Sequence, residues 1–563
     1  MTTGRRPSRI RAIAVALTAV LALSSCSASS GAPDSDDAAP GEPASGEPAS
    51  SAPASGEPAS SAPPATRTTG FDVAIHGFRF ENFGDDVDAV GMTTAEMVRL
   101  FGDAACTRGS GPSCTLSPPA RAWMREMNDS MGGGRCEGMA VLSLLMYEGR
   151  ADPKDFGGAT AAQLRLEGNE KLQRELAYWF ATQALSPTTE AVIADRPSVI
   201  VERLREWFDR PGASGGYTLG IYQPDGSDGH AITPIGLAER GPGRTDILVY
   251  DNNYPSQTRA ITVDTRAETW SYSGASNPAD AEGRYEGDAT TKTLDLTPTE
   301  ARLEPQDCPF CHQQQSRTPG GRRPRRNAAA PTQVFLDPSA FRAGVTVRIR
   351  AVGGGELPGV VALRPRGENL WAKDTPPILQ VPAGTAFEIE LDAAAARRDV
   401  ATDVAIVAPG LNGAVDGITM APGQRDTLLV DPTRRVLRYT TSNDETPTLV
   451  LGIDGEPDSY EFSLGGVELG PRGGTVEARL DATARTLTAR TTGSATAILL
   501  FVLERFGATV DETIENDGLE LAPNETVIVA YGTWAGDGRP LSAGVDVNGD
   551  GTIDEPFEIV DET

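Results

Sequence analysis

Cys136 follows a run of three glycines and precedes an apolar stretch, residues 140–147, whose apolar side chains recur at helical spacing. This pattern places the cysteine at or near the N-terminus of a helix. Unpaired backbone N–H groups and the positive end of the helix dipole stabilise a thiolate there, and the glycines let a substrate approach the backbone. The segment is therefore typical of a cysteine nucleophile, with a buried core cysteine as the alternative.

A base for such a nucleophile must be sought among only three histidines, His76, His230 and His312. His230 follows a glycine at the start of an apolar run, residues 230–237, that predicts a strand. The next long predicted strand ends at Asp251. A hairpin between the two strands would bring the Asp251 carboxylate to the second ring nitrogen of His230, where it fixes the tautomer and stabilises the imidazolium. A purely structural His–Asp pair is the alternative.

The order of these residues resembles the papain-like fold of cysteine peptidases and related acyl-transfer enzymes, over less than half of the chain. By this resemblance Cys136 is the nucleophile, His230 the base and Asp251 the orienting group. Papain-type enzymes use an asparagine in the third role, so Asn252 and Asn253 are further candidates for it.

The chain departs from this family at the oxyanion hole. Family members usually have a glutamine about six residues before the cysteine, and here that position is Ser130. Asn128 is the candidate replacement, and backbone N–H groups are the other source of donors. The resemblance implies acyl transfer by the Cys136 thiolate on an amide or ester carbonyl, with peptide substrates as the default and an acceptor amine or a cell-wall peptide as variants. The alternative is a non-catalytic surface adhesin or binding protein on an inactive scaffold.

The six cysteines divide into groups with different predicted roles. Two disulfides are predicted in an oxidising compartment, Cys106–Cys114 across a short Gly/Ser/Pro loop and Cys308–Cys311 in a CPFC motif. His312 follows the CPFC motif and completes a haem-attachment pattern, but the predicted elements lack the helical enclosure that a haem needs. Zinc binding and a redox role compete with a local disulfide for the same motif, and no cofactor is predicted for catalysis. Cys136 is left unpaired, which favours a working thiol.

The N-terminus has the features of a bacterial lipoprotein signal. Four arginines in the first 11 residues precede an apolar run, residues 12–23, that is too short to span a bilayer. The lipobox-like sequence LSSC follows and predicts that Cys26 is acylated, with an ordinary secretory signal as the alternative. The mature chain is then predicted to be held at the cell surface, on the outer face of the cytoplasmic membrane. The formal charge of −28 argues against nucleic-acid binding.

Composition and periodicity predict a multidomain chain, with an α+β papain-like domain followed by two mostly antiparallel β-sandwich domains. The predicted segments are a signal peptide at 1–25, an Ala/Ser/Pro/Gly/Glu-rich tether at 26–70, the papain-like domain at 71–312, an Arg-rich linker at 313–331, and β modules at 332–440 and 441–563. The linker is expected to be solvated, with docking on anionic lipid as the alternative.

Within the papain-like domain, the sequence predicts helices first and an antiparallel meander of strands afterwards. The predicted helices are a short one opened by a capping box at Thr93, one running from Ser117 to about residue 129, a long one at 160–185, and one at 197–208. Alternating aromatic and polar residues at 71–83 predict a strand.

The last module contains a sequence with the spacing of a calcium loop. Its oxygen ligands would be Asp546, Asn548, Asp550, the Thr552 carbonyl and Asp554. Gly551 occupies the sixth position of the loop, but Phe557 stands at position 12, where an EF-hand has glutamate. The pattern therefore predicts an isolated structural calcium site, with a metal-free acidic turn as the alternative.

Overall fold

The structure, a computed structural model, describes residues 66–210, 215–224, 228–274, 284–311, 330–366, 376–455, 457–470, 474–492, 497–507, 509–536 and 538–561. The predicted signal peptide, Cys26, most of the tether, His312 and most of the Arg-rich linker lie outside the described residues. Within these ranges no helix combines the length and apolar character needed to cross a bilayer.

The helices concentrate in the N-terminal half of the described chain. They are α1 Val73–His76, α2 Thr94–Phe101, α3 Pro118–Asp129, α4 Cys136–Tyr147, α5 Glu170–Ala181, α6 Pro197–Phe208, α7 Thr299–Leu303 and α8 Pro338–Arg342. The capping box predicted for α2 is present, because the Thr93 side chain accepts from the backbone and Glu96 bonds back to the Thr93 N–H. The predicted starts of α3 and α6 at a proline are also confirmed.

Two local predictions in this half were wrong. Residues 71–83 contain α1 instead of a strand, because the Asp72 side chain caps a helical turn by accepting from the Ala74 N–H. The long helix predicted at 160–185 is only α5. It begins after Asn169, whose side chain accepts from the Leu172 N–H, and after Gly168, whose φ of +66° breaks a helix.

The strands that follow these helices form an antiparallel sheet around the segment that carries His230. In chain order, the strands of this half are β1 Thr66–Thr68, β2 Cys106–Arg108, β3 Thr115–Leu116, β4 Ile193–Ala194, β5 Tyr217–Ile221, β6 His230–Glu239, β7 Arg244–Tyr250, β8 Thr258–Asp264, β9 Thr269–Ser273, β10 Arg284–Asp288 and β11 Leu294–Pro298. The sheet order is β10-β9-β8-β7-β6-β5-β11-β4, which confirms the meander, and β1 pairs with β6. Residues 66–68, predicted to belong to the tether, are therefore part of the folded domain.

The C-terminal half consists of two large antiparallel sheets. Its strands are β12 Thr332–Leu336, β13 Thr346–Ala351, β14 Val361–Leu363, β15 Ile378–Val381, β16 Phe387–Asp392, β17 Val400–Ala408, β18 Leu411–Met420, β19 Arg425–Asp431, β20 Val436–Thr441, β21 Thr448–Ile453, β22 Ser459–Gly465, β23 Gly474–Asp481, β24 Thr486–Thr492, β25 Ala497–Phe506, β26 Asp511–Leu521, β27 Thr526–Val529, β28 Leu541–Asp546 and β29 Glu555–Ile559. The sheet orders are β14-β15-β12-β17-β18-β21-β22-β25-β26 and β13-β16-β19-β20-β23-β24-β27-β28-β29.

The sandwich character is confirmed, but the predicted division near residue 440 is wrong. Strand β18 pairs with β21 in one sheet and β20 pairs with β23 in the other, so both sheets continue across that point. One buried apolar cluster between the sheets extends from Val334 to Ile559. Residues 332–559 are therefore one two-sheet sandwich, because neither proposed module could bury its sheet faces alone.

The outer face of the first large sheet packs on the helices of the N-terminal half. Phe335 and Val407 from this sheet share a buried cluster with Trp123 of α3. The Trp123 Nε1–H donates to Gln333 Oε1 at 2.9 Å, which satisfies the polar atom of a fully buried indole. The sandwich is thus a structural support for the helices that carry the candidate nucleophile.

Candidate active site

Helix α4 lies in the interior between α5 and β6. Gly138 makes the approach to α5 possible, because a Cβ there would lie 2.1 Å from the Leu176 carbonyl oxygen. On the opposite side, Cys136 and Ala140 pack against Ala231 of β6. The first turn of α4 is thereby fixed against the strand that begins at His230.

Cys136 is the first residue of α4, as predicted. Gly134 reverses the chain just before it with a φ of +145°, a conformation that strongly favours glycine. The Arg135 N–H donates to Asn82 Oδ1 at 2.7 Å, and the Ala231 N–H donates to Cys136 Sγ at 3.3 Å. The sulfur therefore lies at the N-terminus of the helix and accepts a backbone hydrogen bond from the neighbouring strand.

The structure brings His230 and Asp251 together in the manner predicted from the hairpin. Strands β6 and β7 pair antiparallel, and His230 Nε2 lies 2.8 Å from Asp251 Oδ1. His230 Nδ1 has no hydrogen-bond partner within the described part of the chain, and the Cys136 side chain lies close enough to interact with the ring. The imidazole therefore stands between the carboxylate and the thiol.

The electrostatics favour a charged imidazole. Burial alone would lower the pKa of His230, but Asp251 and Cys136 outweigh it and hold the pKa well above its ordinary value. Burial alone would raise the pKa of Asp251, but the His230 ring and three donated hydrogen bonds hold it below its ordinary value. Both shifts stabilise an imidazolium between two acceptors.

Asp251 has two further donors besides His230. The Asn253 N–H donates to Oδ1 at 2.8 Å, and the Tyr272 hydroxyl on β9 donates to Oδ2. These bonds fix the carboxylate in a site where it is only 1% exposed. Sequence reasoning missed Tyr272, although its position on the predicted meander and its polar tip were the available signals.

The three asparagine candidates have different places. Asn252 Nδ2 donates to the carbonyl oxygens of Cys136 and Ala231, at 3.1 and 2.9 Å, and so ties α4 to β6 without bonding the imidazole. Asn253 contributes its backbone N–H to Asp251.

Asn128 does not supply the predicted oxyanion donor. Its side chain pairs with the backbone of Met92, accepting from the N–H at 2.8 Å and donating to the carbonyl oxygen at 3.1 Å. Asn82 is the side-chain amide beside the nucleophile instead. It bonds the Arg135 N–H, and its own backbone N–H donates to the Asn252 carbonyl oxygen at 2.9 Å. No local pattern points to Asn82, because it lies on a loop far from Cys136 along the chain.

A buried charge network lies directly next to the nucleophile. Glu137 bonds Arg302 of α7 and, at 3.0 Å, Arg366 from the sandwich half. Arg366 also bonds Asp295 on β11 at 2.7 Å. Burial would raise the pKa of Glu137, but the two arginines hold it below its ordinary value. The network balances two carboxylates with two guanidinium groups, which is the condition for burying charge.

The remaining predicted cysteine and histidine sites are placed as follows. Both predicted disulfides are present, Cys106–Cys114 and Cys308–Cys311, which leaves Cys136 as the free thiol of the described chain. His76 lies outside the site, where its Nδ1 accepts from the Asp72 N–H at 2.8 Å.

The predicted calcium loop folds on its own hydrogen bonds. Asp546 accepts from the N–H groups of Gly549 and Gly551, at 2.7 and 2.9 Å, and Asp554 accepts from Val547 at 2.9 Å. No cluster of three His, Cys, Asp or Glu side chains in the described ranges is arranged to hold a metal ion. Calcium binding by this loop stays a prediction from the sequence.

Comparisons with protein-family models, with curated proteins and with solved structures found no match to this chain. The papain-like resemblance therefore stays a prediction from the order of the motifs. What the structure adds is the convergence of Cys136, His230 and Asp251 in one cluster.

Proposed function

We propose that the chain is a surface-anchored, thiol-dependent hydrolase of the cysteine peptidase type, acting on amide bonds. The observation that supports this proposal is the position of the His230 ring between the Asp251 carboxylate, at 2.8 Å, and the Cys136 thiol. Three side chains far apart in sequence meet there, and each has the chemical type that its role in acyl transfer requires.

In the proposed reaction, the Cys136 thiolate attacks the carbonyl carbon and the imidazolium of His230 protonates the leaving amine. The neutral imidazole then takes a proton from water, which hydrolyses the thioester and restores the thiol. Asp251 keeps the ring oriented throughout. Backbone N–H groups in the first turn of α4 are the proposed donors to the oxyanion, because Asn128 is bonded elsewhere.

One observation favours the alternative, a non-catalytic binding protein on an inactive scaffold. Cys136 is fully buried, and His230 and Asp251 are each 1% exposed. A substrate reaches the sulfur only if a covering segment moves, whereas a purely structural cluster needs no such movement. Accessibility of the thiol therefore separates the two functions.

Alkylation of Cys136 is the direct experiment. Four of the remaining cysteines are in disulfides and Cys26 is predicted to carry lipid, so labelling reports on one thiol. Hydrolase function predicts that iodoacetamide reacts at pH 6 at least about tenfold faster than with free cysteine, since a catalytic thiol must react as a nucleophile beside its base. The rate should collapse in His230→Ala and persist in the control His76→Ala. A rate no faster than free cysteine, unchanged by His230→Ala, supports the binding protein instead.

We further propose that acylation of Cys26 holds the protein at the outer face of the cytoplasmic membrane and that the tether spaces the folded region from it. The supporting observation is the order of a basic segment, a short apolar run and LSSC at the N-terminus. Metabolic labelling with a palmitate analogue should mark the wild-type chain, and Cys26→Ala should remove the label and release the protein.

A further inference from the structure

A cavity of about 270 Å³ lies on the far side of the buried charge network from Cys136. Its walls come from residues 183–192, from β11 and the residues before it, from α7, and from β14 and the segment after it. That segment contacts the chain just before β6, because a Cβ on Gly229 would lie 2.7 Å from the Pro365 carbonyl oxygen. The cavity is therefore a neighbour of the candidate active site and separate from it.

The charge of the lining is strongly unbalanced. Four cations line the cavity, Lys292, Arg302, Arg364 and Arg366, against one carboxylate, Asp295. Arg366 pairs with Asp295, and the remaining charge of the network is matched by Glu137. Lys292 and Arg364 are exposed and have no ion-pair partner among the residues that the structure describes. In a chain with a formal charge of −28, this is a local positive site.

Arg302 is a buried cation in the wall of this cavity. Arg302 is 1% exposed, and its Nε–H has no hydrogen-bond partner in the described ranges. Its two terminal nitrogens are bonded to Thr182, Thr218 and Glu137. The Nε atom is closed off from solvent, so Arg302 contributes positive charge to the wall of the cavity and not a hydrogen bond to a ligand.

The uncharged part of the lining has polar residues, which are Gln183, Thr188, Thr189, Thr293 and Thr297, and an apolar part. Val192, Leu363, Ile378 and the ring of Tyr222 contribute to the walls. A simple inorganic anion would leave these surfaces in contact with water, whereas a ligand with one anionic end and one apolar arm matches both parts. The volume is close to the lower limit of small-molecule sites and suits a single amino-acid residue with its blocking group.

We propose that this cavity binds an apolar amino-acid residue with a free carboxylate. Lys292 and Arg364 receive the carboxylate, and Val192, Leu363 and Ile378 contact the side chain. The source of the residue is a free acylated amino acid or the C-terminus of a peptide. This inference stands apart from the acyl-transfer proposal, since it uses neither Cys136 nor His230.

Calorimetric titration of the whole chain with N-acetyl-leucine tests the site, with N-acetyl-leucinamide as the matched ligand without charge. The carboxylate should bind at least about tenfold more tightly than the amide, and its affinity should fall with added salt. A peptide that ends in leucine serves as the second arm. Binding of that peptide assigns the site to chain ends, and binding of N-acetyl-leucine alone assigns it to the free compound.

The double variant Lys292→Met/Arg364→Met removes two exposed charges and should weaken binding by about tenfold or more. Arg397→Met/Arg398→Met is the matched control, because it removes two exposed arginines that do not line the cavity. Melting temperatures of both variants verify that the fold is retained. The proposal is overturned if the amide binds as tightly as the carboxylate, or if the double variant and the control have the same affinity. It is also overturned if neither N-acetyl-leucine nor the peptide binds.

Discussion

Replacement of Asp251 by asparagine separates the effect of the carboxylate charge on His230 from the effect of the hydrogen-bond geometry. Asp251 Oδ1 accepts from His230 Nε2 and from the Asn253 N–H, and Oδ2 accepts from the Tyr272 hydroxyl. An asparagine with its oxygen at the Oδ1 position keeps the first two bonds, and its NH₂ group donates to the Tyr272 oxygen instead. The substitution therefore removes the negative charge with little change in shape.

The size of the attraction between the Asp251 carboxylate and the His230 imidazolium follows from the distance between the two groups. Two unit charges about 4 Å apart interact by about 4 kcal/mol at an effective dielectric constant of about 20. Asp251→Asn should therefore remove an attraction of this order from the imidazolium and lower the pKa of His230. A raised histidine pKa stabilises the fold fully below the unfolded value of about 6.5, and this contribution disappears as pH rises through the folded value. The variant should lose that contribution.

The assay is a pH titration of ¹⁵N-labelled histidine by NMR, which is practical because the chain has three histidines. His76 is the internal control, since it bonds Asp72 and not Asp251. Asp399→Asn is the matched control variant, because Asp399 is exposed. The proposal that the Asp251 charge raises the pKa of His230 is refuted by either of two results. One is a His230 pKa near 6.5 in the wild type, and the other is a change of less than about one pKa unit in Asp251→Asn. This readout does not depend on access to the thiol.

Three further predictions concern stability. Burial raises the pKa of Glu126 on α3 to about 7, so ionisation of this group lowers the stability of the fold as pH rises from about 4.5 to 7. In urea unfolding, Glu126→Gln should raise the free energy of unfolding by about 3 kcal/mol at pH 8 and leave it almost unchanged at pH 4. Equal increases at both pH values would contradict burial as the cause. Tyr272→Phe should cost about 1–3 kcal/mol in the same assay, because it removes a donor from a buried carboxylate; an unchanged midpoint would show that the bond is dispensable. If the loop at 546–554 binds calcium, the melting temperature should be higher in calcium than in EDTA. Asp550→Asn should abolish this difference. Identical melting curves of the wild type in calcium and in EDTA would favour the metal-free turn.

Local signals in the sequence identified the parts of the site that lie on regular elements. The glycine run and apolar periodicity placed Cys136 at the start of α4, and the hairpin of β6 and β7 placed Asp251 beside His230. These inferences succeeded because helix and strand periods fix which residues lie at an element's end. They failed for Asn128, because a free amide and one paired with Met92 have the same local sequence.

Long-range pairing accounts for the larger errors. The strands on either side of residue 440 have the same alternation as strands in two separate modules, and only the pairing of β18 with β21 shows that they share a sheet. Likewise nothing near Thr66 indicates that this segment pairs with β6. Strand partners are chosen by tertiary packing, which periodicity along one segment does not encode.

The sandwich half contributes to the candidate active site and does more than present it. Arg366 lies beyond the predicted papain-like domain, yet it bonds Glu137, the residue next to the nucleophile. Without Arg366, the buried carboxylates of Glu137 and Asp295 would face Arg302 alone, and uncompensated buried charge costs several kcal/mol. The same half also supplies Gln333 to the Trp123 indole and a sheet face to the helices around it. The first turn of α4, and with it the thiol, is therefore held in position from both halves of the chain.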